Sequence, residues 1–94
     1  MQYGTFEWHD RKAASNVRDH GVSFEQATFV FDDLYAIDEI DTITDYGEER
    51  SIILGRALNE LLVVVYTMRG EFVRIISARK AEKHERQRYN RQNR

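Results

Sequence analysis

The chain has no cysteine and no proline among its 94 residues. Without cysteine there is neither a disulfide nor a thiolate metal site, so a domain this small must be held by its core alone. Without proline no turn is set by a locked φ, and the breaks between elements fall largely to five glycines. Long apolar runs are missing as well. Nothing approaches the roughly 20 residues of a membrane-spanning helix, and the opening M-Q-Y-G-T-F-E-W lacks the basic stretch followed by an apolar one that marks a secretory leader. There is no low-complexity tract and no internal repeat. These absences predict one domain, residues 1–94, soluble and cytoplasmic, with no membrane partner and a frayed end at N-R-Q-N-R.

Positive charge is absent from a long central stretch. Between Asp19 and Glu49 there is no Lys or Arg, but there are ten acids. Residues 69–94 reverse the balance: nine bases against Glu71, Glu82 and Glu85 give +6, while the first 68 residues carry −8, for a net −2. A basic C-terminal end on an otherwise acidic chain points to an anionic partner, either nucleic acid or an acidic protein. The plainer reading is a solvated helix laced with i,i+4 pairs such as Glu82 with Arg86.

Hydrophobic periodicity orders the elements. Tyr3 to Trp8 alternates as a strand, with Phe6 and Trp8 on one face and Glu7 on the other. Asp10 is placed to cap a helix over Arg11–His20, with a thin stripe of Ala13, Ala14 and Val17 and with Gly21 as terminator. Ser23 opens a second helix, Gln26 completing a capping box and Phe24, Ala27, Thr28 and Phe31 lying along one face. Tyr35 to Ile43 holds a weak edge strand. Arg50 to Ala57 puts Arg50, Ile52, Leu54 and Arg56 on one face; Leu61 to Met68 is apolar through its centre, as a strand covered on both sides would be. Arg69-Gly70 turns the chain into an antiparallel Phe72–Ser77. The fold class is α+β, an antiparallel sheet packed on an N-terminal helical hairpin and closed by a C-terminal helix, with room for a cleft on the sheet's second face.

The stretch from Phe72 to Tyr89 carries most of the chemistry. Ser77 stands before good helix formers and is placed to cap a helix from Ala78, which puts Arg79 in its first turn. Arg74 lies between core residues of the preceding strand, where a charge must find an anion or a wet cleft. Arg74 and Arg79 together suit a phosphate clamp, with Lys80 and the helix N-terminus around Ser77–Lys80 adding positive potential. RNA can be cut without a metal when a base takes the 2′-hydroxyl proton and cations hold the phosphate. Glu85, His84 and Tyr89 are the candidate proton carriers; Arg50, Arg56 and Arg86 extend the RNA-binding surface. Each has a structural alternative: His84 and His20 as exposed helix residues, Tyr89 as packing, Trp8 as core rather than a base-stacking platform. The acids Asp38, Glu39, Asp41, Asp45, Glu48 and Glu49 match no calcium-loop spacing and read as solvated surface. No cofactor and no metal is expected.

Five blocks in register, F-E-W-H-D-R-K-A at 6–13, D-H-G-V-S-F-E-Q-A at 19–27, V-F-D-D at 30–33, E-E-R-S-I-I-L-G at 48–55, and V-R-I-I-S-A-R-K-A-E-K-H-E-R-Q-R-Y from Val73, resemble BrnT-type toxins. The resemblance implies a RelE-like ribonuclease fold and the toxin half of a type II toxin–antitoxin pair. It also implies RNA cleavage that inhibits translation, relieved by a DNA-binding, BrnA-like antitoxin in a heterotetramer. The family's characteristic positions fall on His20, Gly21, Glu49, Arg50, Gly55, Arg74, Ser77, Arg79, Glu85, Arg86 and Tyr89. His9 departs from the pattern, standing where an acid is expected. The resemblance favours a metal-independent endoribonuclease. A non-catalytic module whose basic end docks an acidic protein or nucleic acid is the other reading, and a metal hydrolase built on the acidic loop is a third. The antitoxin is expected over the Arg74–Arg79 surface or across the closing helix.

Overall fold

The computed structural model describes residues 1–41 and 49–93. Its centre is the apolar run at 61–68, which forms most of the strand Glu60–Arg69 (β5). β5 lies between Ser51–Ala57 (β4) and Phe72–Lys80 (β6), antiparallel to both. Ile37–Ile40 (β3) adds an antiparallel edge beyond β4. On the other side Phe6–Glu7 (β2) runs parallel to β6, and Gln2–Tyr3 (β1) folds back on β2, so the order is β1-β2-β6-β5-β4-β3. The single alternating strand expected at 3–8 is thus a small hairpin turning at Gly4, φ 63°. The weak strand expected at 35–43 is β3, and it is at an edge; residues 42 and 43, with Asp45 and Glu48, lie outside the described residues.

Alternation along the strands divides the core in two. One face of the sheet carries Ile53, Ala57, Leu62, Val64, Tyr66, Ile75 and Ala78, packed with Trp8, Val22, Phe24, Ala27 and Val30 from the N-terminal elements. These elements are the helix Asp10–His20 (α1), the short helix Phe24–Ala27 (α2) and a 3-10 turn over Thr28–Asp32. Phe31 bridges to the sheet edge-on against Tyr66, with 5.0 Å between ring centroids. The opposite face carries Leu54 and Val63, covered by Ala81 and by Tyr89 of the last helix, Lys83–Gln92 (α3). Gly55 makes the first face possible: a Cβ there would stand 2.9 Å from Val30 Cγ1 and 3.0 Å from Ala36 Cβ.

Several local expectations are corrected. The cap of α1 is His9, whose Nδ1 accepts the Arg11 N–H at 3.3 Å, so Asp10 is already helical. Gly21 does end the helix, at φ 69°, donating to the Val17 carbonyl at 2.8 Å. The inward residue of α1 is Asn16 and not Val17, which is 49% exposed. The Asn16 amide donates to the carbonyls of Val22 (2.9 Å) and Ala78 (2.7 Å) and accepts the Ala78 N–H (3.1 Å). It replaces a neighbouring strand along β6 beyond the reach of β2. Ser23 accepts the Gln26 N–H at 3.0 Å, but the helix it opens tightens into the 3-10 turn after one turn.

The largest correction concerns Ser77. It caps no helix, because β6 continues to Lys80, with Ala78, Arg79 and Lys80 opposite Val64, Val63 and Leu62. Ladder pairing with the central strand outweighs the helix preference of these residues. α3 starts five residues later than expected, after Glu82, whose N–H donates to the Glu85 carboxylate at 2.8 Å. Inside β6 the register slips: Val65 faces Ser77 and Tyr66 faces Ile75, leaving Ile76 as the extra residue of a bulge. Arg74 and Arg79, five positions apart, would alternate onto opposite faces of a regular strand. The bulge returns them to the same one, opposite Thr67 and Val63 on the α3 side of the sheet.

Candidate functional site

Arg79 is the centre of the second face. Its NH1 and NH2 donate to the two oxygens of Glu85 at 2.8 and 2.9 Å, a fork-on-fork pair between strand and helix. The guanidinium holds the Glu85 carboxyl below its ordinary 4.5, outweighing partial burial. Glu85 is therefore an ionised acceptor at neutral pH, committed to Arg79 and to the Glu82 N–H. Such a carboxylate is a weak base, because its basicity is already spent on three donors.

Glu82 lies between two other candidates. Its Oε1 is 3.8 Å from Arg79 NH1 and its Oε2 3.9 Å from His84 Nδ1. The Glu82 side chain is 66% exposed and that of His84 75% exposed, so this carboxylate occupies an open position flanked by a guanidinium and an imidazole. Lys80 is not part of the group. Its place opposite Leu62 directs it to the α1 side of the sheet, where Nζ is 3.7 Å from Glu60. The expected helix N-terminus at 77–80 is likewise absent; the first turn of α3 is at Lys83, beyond this cluster's arginine.

Arg74 shares the face but holds its own acid, Glu7 Oε2, at 3.3 Å from NH1, with both side chains largely buried. Tyr89 is buried against Leu54 and Val63, and its hydroxyl donates to Asp33 Oδ2 at 2.6 Å. Burial and the Asp33 carboxylate raise the phenol above its usual range, so Tyr89 is a packing and anchoring group rather than a neutral-pH base. Arg56 lies over the Tyr89 ring, 5.7 Å from its centroid, with its backbone N–H on Asp33 at 2.8 Å. Arg86 donates to the Ala81 carbonyl at 2.7 Å, and Arg50, half-buried before β4, offers its own carbonyl to the Asp41 N–H at 2.8 Å.

The structure thus joins Arg79, Glu85 and His84 around Glu82, with Arg56 and Tyr89 further along α3, and leaves Lys80 apart. Sequence reasoning missed the acids that organise them: Glu7, Asp33 and Glu82. Their signal was faint. Asp33 ends the V-F-D-D block, and Glu82 stands three residues before Glu85, as a helix cap would. Among the described residues no three His, Asp or Glu side chains come together where a metal could be held. A shallow depression of about 480 Å³ on α1, lined by His9, Arg11, Lys12, Ala14, Ser15 and Arg18, shares no residue with the cluster.

Residues 8–85 match the family described as the ribonuclease toxin, BrnT, of type II toxin–antitoxin systems. No curated protein matches the chain. Among the described residues, no helix is long and apolar enough to cross a membrane.

Proposed function

Because the chain belongs to the BrnT family of type II toxin–antitoxin ribonuclease toxins, we propose that it cleaves RNA without a metal, inhibits translation, and is neutralised by a DNA-binding, BrnA-like antitoxin in a heterotetramer. The observation that carries this reading is the Glu82 carboxylate between Arg79 and His84, at 3.8 and 3.9 Å. An exposed carboxylate is an anion of about the right size and charge to stand in for a phosphodiester. When RNA displaces it, the scissile phosphate meets Arg79 on one side and the imidazole on the other. A neutral imidazole has an acceptor ring nitrogen that can take the 2′-hydroxyl proton. The 2′-oxygen then bonds to phosphorus, the bond to the 5′-oxygen breaks, and that oxygen takes a proton from solvent at this open site. Arg79 stabilises the charge that grows on the phosphate; Glu85 keeps its guanidinium in place. Arg56 and Arg74 lie on the same face and suit neighbouring phosphates. We also read the fold as RelE-like, on the strength of a sheet with its N-terminal helices on one face and its closing helix on the other.

A second reading, a docking module with no chemistry of its own, is favoured by one fact: Arg74 and Arg79 are each already satisfied by a carboxylate. Labelled RNA incubated with purified protein in EDTA separates the two. Cleavage that persists in EDTA, falls at least about a hundredfold in His84→Gln, and is accompanied by arrest of cell-free translation supports the nuclease. Intact RNA with tight antitoxin binding supports the module. Cleavage abolished by EDTA and restored by Mg²⁺ would refute metal independence.

A further inference from the structure

Leu34 is 95% exposed and Tyr35 64%, consecutive in the loop between the 3-10 turn and β3, while Leu58, 66% exposed, tips the β4–β5 turn. Asp33 joins the two places. Its Oδ1 accepts the Tyr35 N–H at 2.9 Å and its Oδ2 the Arg56 N–H at 2.8 Å, which fixes the loop beside the strand that reaches Leu58 two residues later. α3 holds the same loop through Tyr89 on Asp33 at 2.6 Å and Asn93 on the Tyr35 carbonyl at 3.2 Å. The apolar groups are therefore displayed on a braced support. Leu58 also sits at φ 57°, which leucine adopts at a cost and asparagine or glycine does not. Single exposed leucines are ordinary; several at one end of a small domain form a patch that a partner would cover. Arg56 borders it, and no carboxylate among the described residues lies within ion-pair distance of that guanidinium.

We infer that Leu34, Tyr35 and Leu58, with Arg56 beside them, dock the antitoxin through a segment of that protein carrying apolar side chains flanked by carboxylates. The inference rests on the family reading, which supplies a protein antitoxin, and not on RNA cleavage. Charge complementarity selects this occupant: the Arg56 guanidinium, exposed over the Tyr89 ring, still has room for an acid, and the leucines ask for an apolar anchor. A second copy of the chain fits less well, because it offers the same leucines and the same guanidinium, and the acid at the centre of the patch, Asp33, is already held by Tyr35, Arg56 and Tyr89. RNA gains little from the leucines.

The test uses the full chain and the full-length cognate antitoxin, with affinity measured by calorimetry, RNA cleavage by the free toxin, and mass in solution by light scattering. Leu34→Asp places a charge on an exposed position and leaves the fold intact; Leu58→Asn removes an apolar group and relaxes its backbone. The expected result is a Kd at least about tenfold weaker for Leu34→Asp and several-fold weaker for Leu58→Asn, with cleavage by the free toxin unchanged. A Kd within twofold of wild type for both variants overturns the inference, as does a wild-type toxin that binds no antitoxin. A dimer of the toxin alone that Leu34→Asp dissociates while antitoxin affinity holds would assign the patch to a second copy instead. If wild-type toxin cuts no RNA, the nuclease reading fails, and the Kd comparison still decides this one.

Discussion

Replacing Glu85 by glutamine tests what the fork between β6 and α3 contributes, because the shape is kept and the charge removed. Two charge-assisted hydrogen bonds are weakened, each of a kind worth roughly 1.5–3 kcal/mol when well shielded. The Arg79 side chain is 38% exposed, however, against 17% for Glu85, so solvent screening removes much of that. One neutral acceptor also remains in the glutamine. A loss of about 1–2 kcal/mol follows, which in a domain of this size lowers the melting temperature by roughly 5–10 °C. The pH dependence has a definite sign. Glu85 is held below 4.5 in the folded state, so its contribution is present above that pH and is lost as the pH falls through the depressed value. The stability gap between wild type and Glu85→Gln, measured by urea denaturation, should therefore be full at pH 7 and close as the pH falls below 4.5 through the depressed value. In the proposed reaction Glu85 acts by positioning Arg79. Its loss should cost roughly tenfold in kcat/KM through a misplaced Arg79, without moving the pH–rate profile. A drop of about a thousandfold with RNA affinity intact, and with one limb of the pH–rate profile removed, would make Glu85 the proton carrier and refute the assignment to His84.

Other substitutions address the scaffold. Gly55→Ala should destabilise by about 1–3 kcal/mol in urea titrations, because the new methyl meets Val30 and Ala36 at 2.9 and 3.0 Å; an unchanged midpoint would mean the 3-10 turn yields freely. Asn16→Ala strands the buried Ala78 N–H and two carbonyls and should cost about 2–4 kcal/mol, with Asn16→Asp recovering only part through its acceptor. Tyr66 donates to both oxygens of Asp38, at 2.8 and 2.7 Å, and burial with that carboxylate pushes its phenol up to about 12. Ultraviolet titration should show one tyrosine ionising there, absent in Tyr66→Phe. Its share of stability, whole below pH 10, should disappear as the pH rises through about 12.

Much of the architecture was legible because it is local. The unbroken apolar run at 61–68 announced a strand covered on both sides, and the alternation at 50–57 assigned Ile52, Leu54 and Arg56 to the face they occupy. Gly21 marked a helix end. The start of the last helix was not legible, since Ala78, Arg79 and Lys80 favour helix by themselves and become strand only by pairing with Val64, Val63 and Leu62. The same reason hid the site's organisation. Asn16 reaches Ala78 across 62 positions, Arg74 finds Glu7 across 67, and Tyr89 finds Asp33 across 56. Charge counting located the basic end of the chain but could not show that Arg74 and Arg88 are matched with Glu7 and Glu39 from elsewhere, and Arg79 with Glu85 of its own stretch.

The extra residue at Ile76 makes the length of β6 adjustable at one place. Loss of a codon there would restore strict alternation and leave the pairs on either side as they stand: Arg74 opposite Thr67, Ala78 opposite Val64 and Arg79 opposite Val63. What such a loss would take away is the local kink and added twist of the bulge, not the side on which the guanidinium groups stand. Natural variants of this strand can therefore differ by one residue in length and still present the same two arginines beside α3.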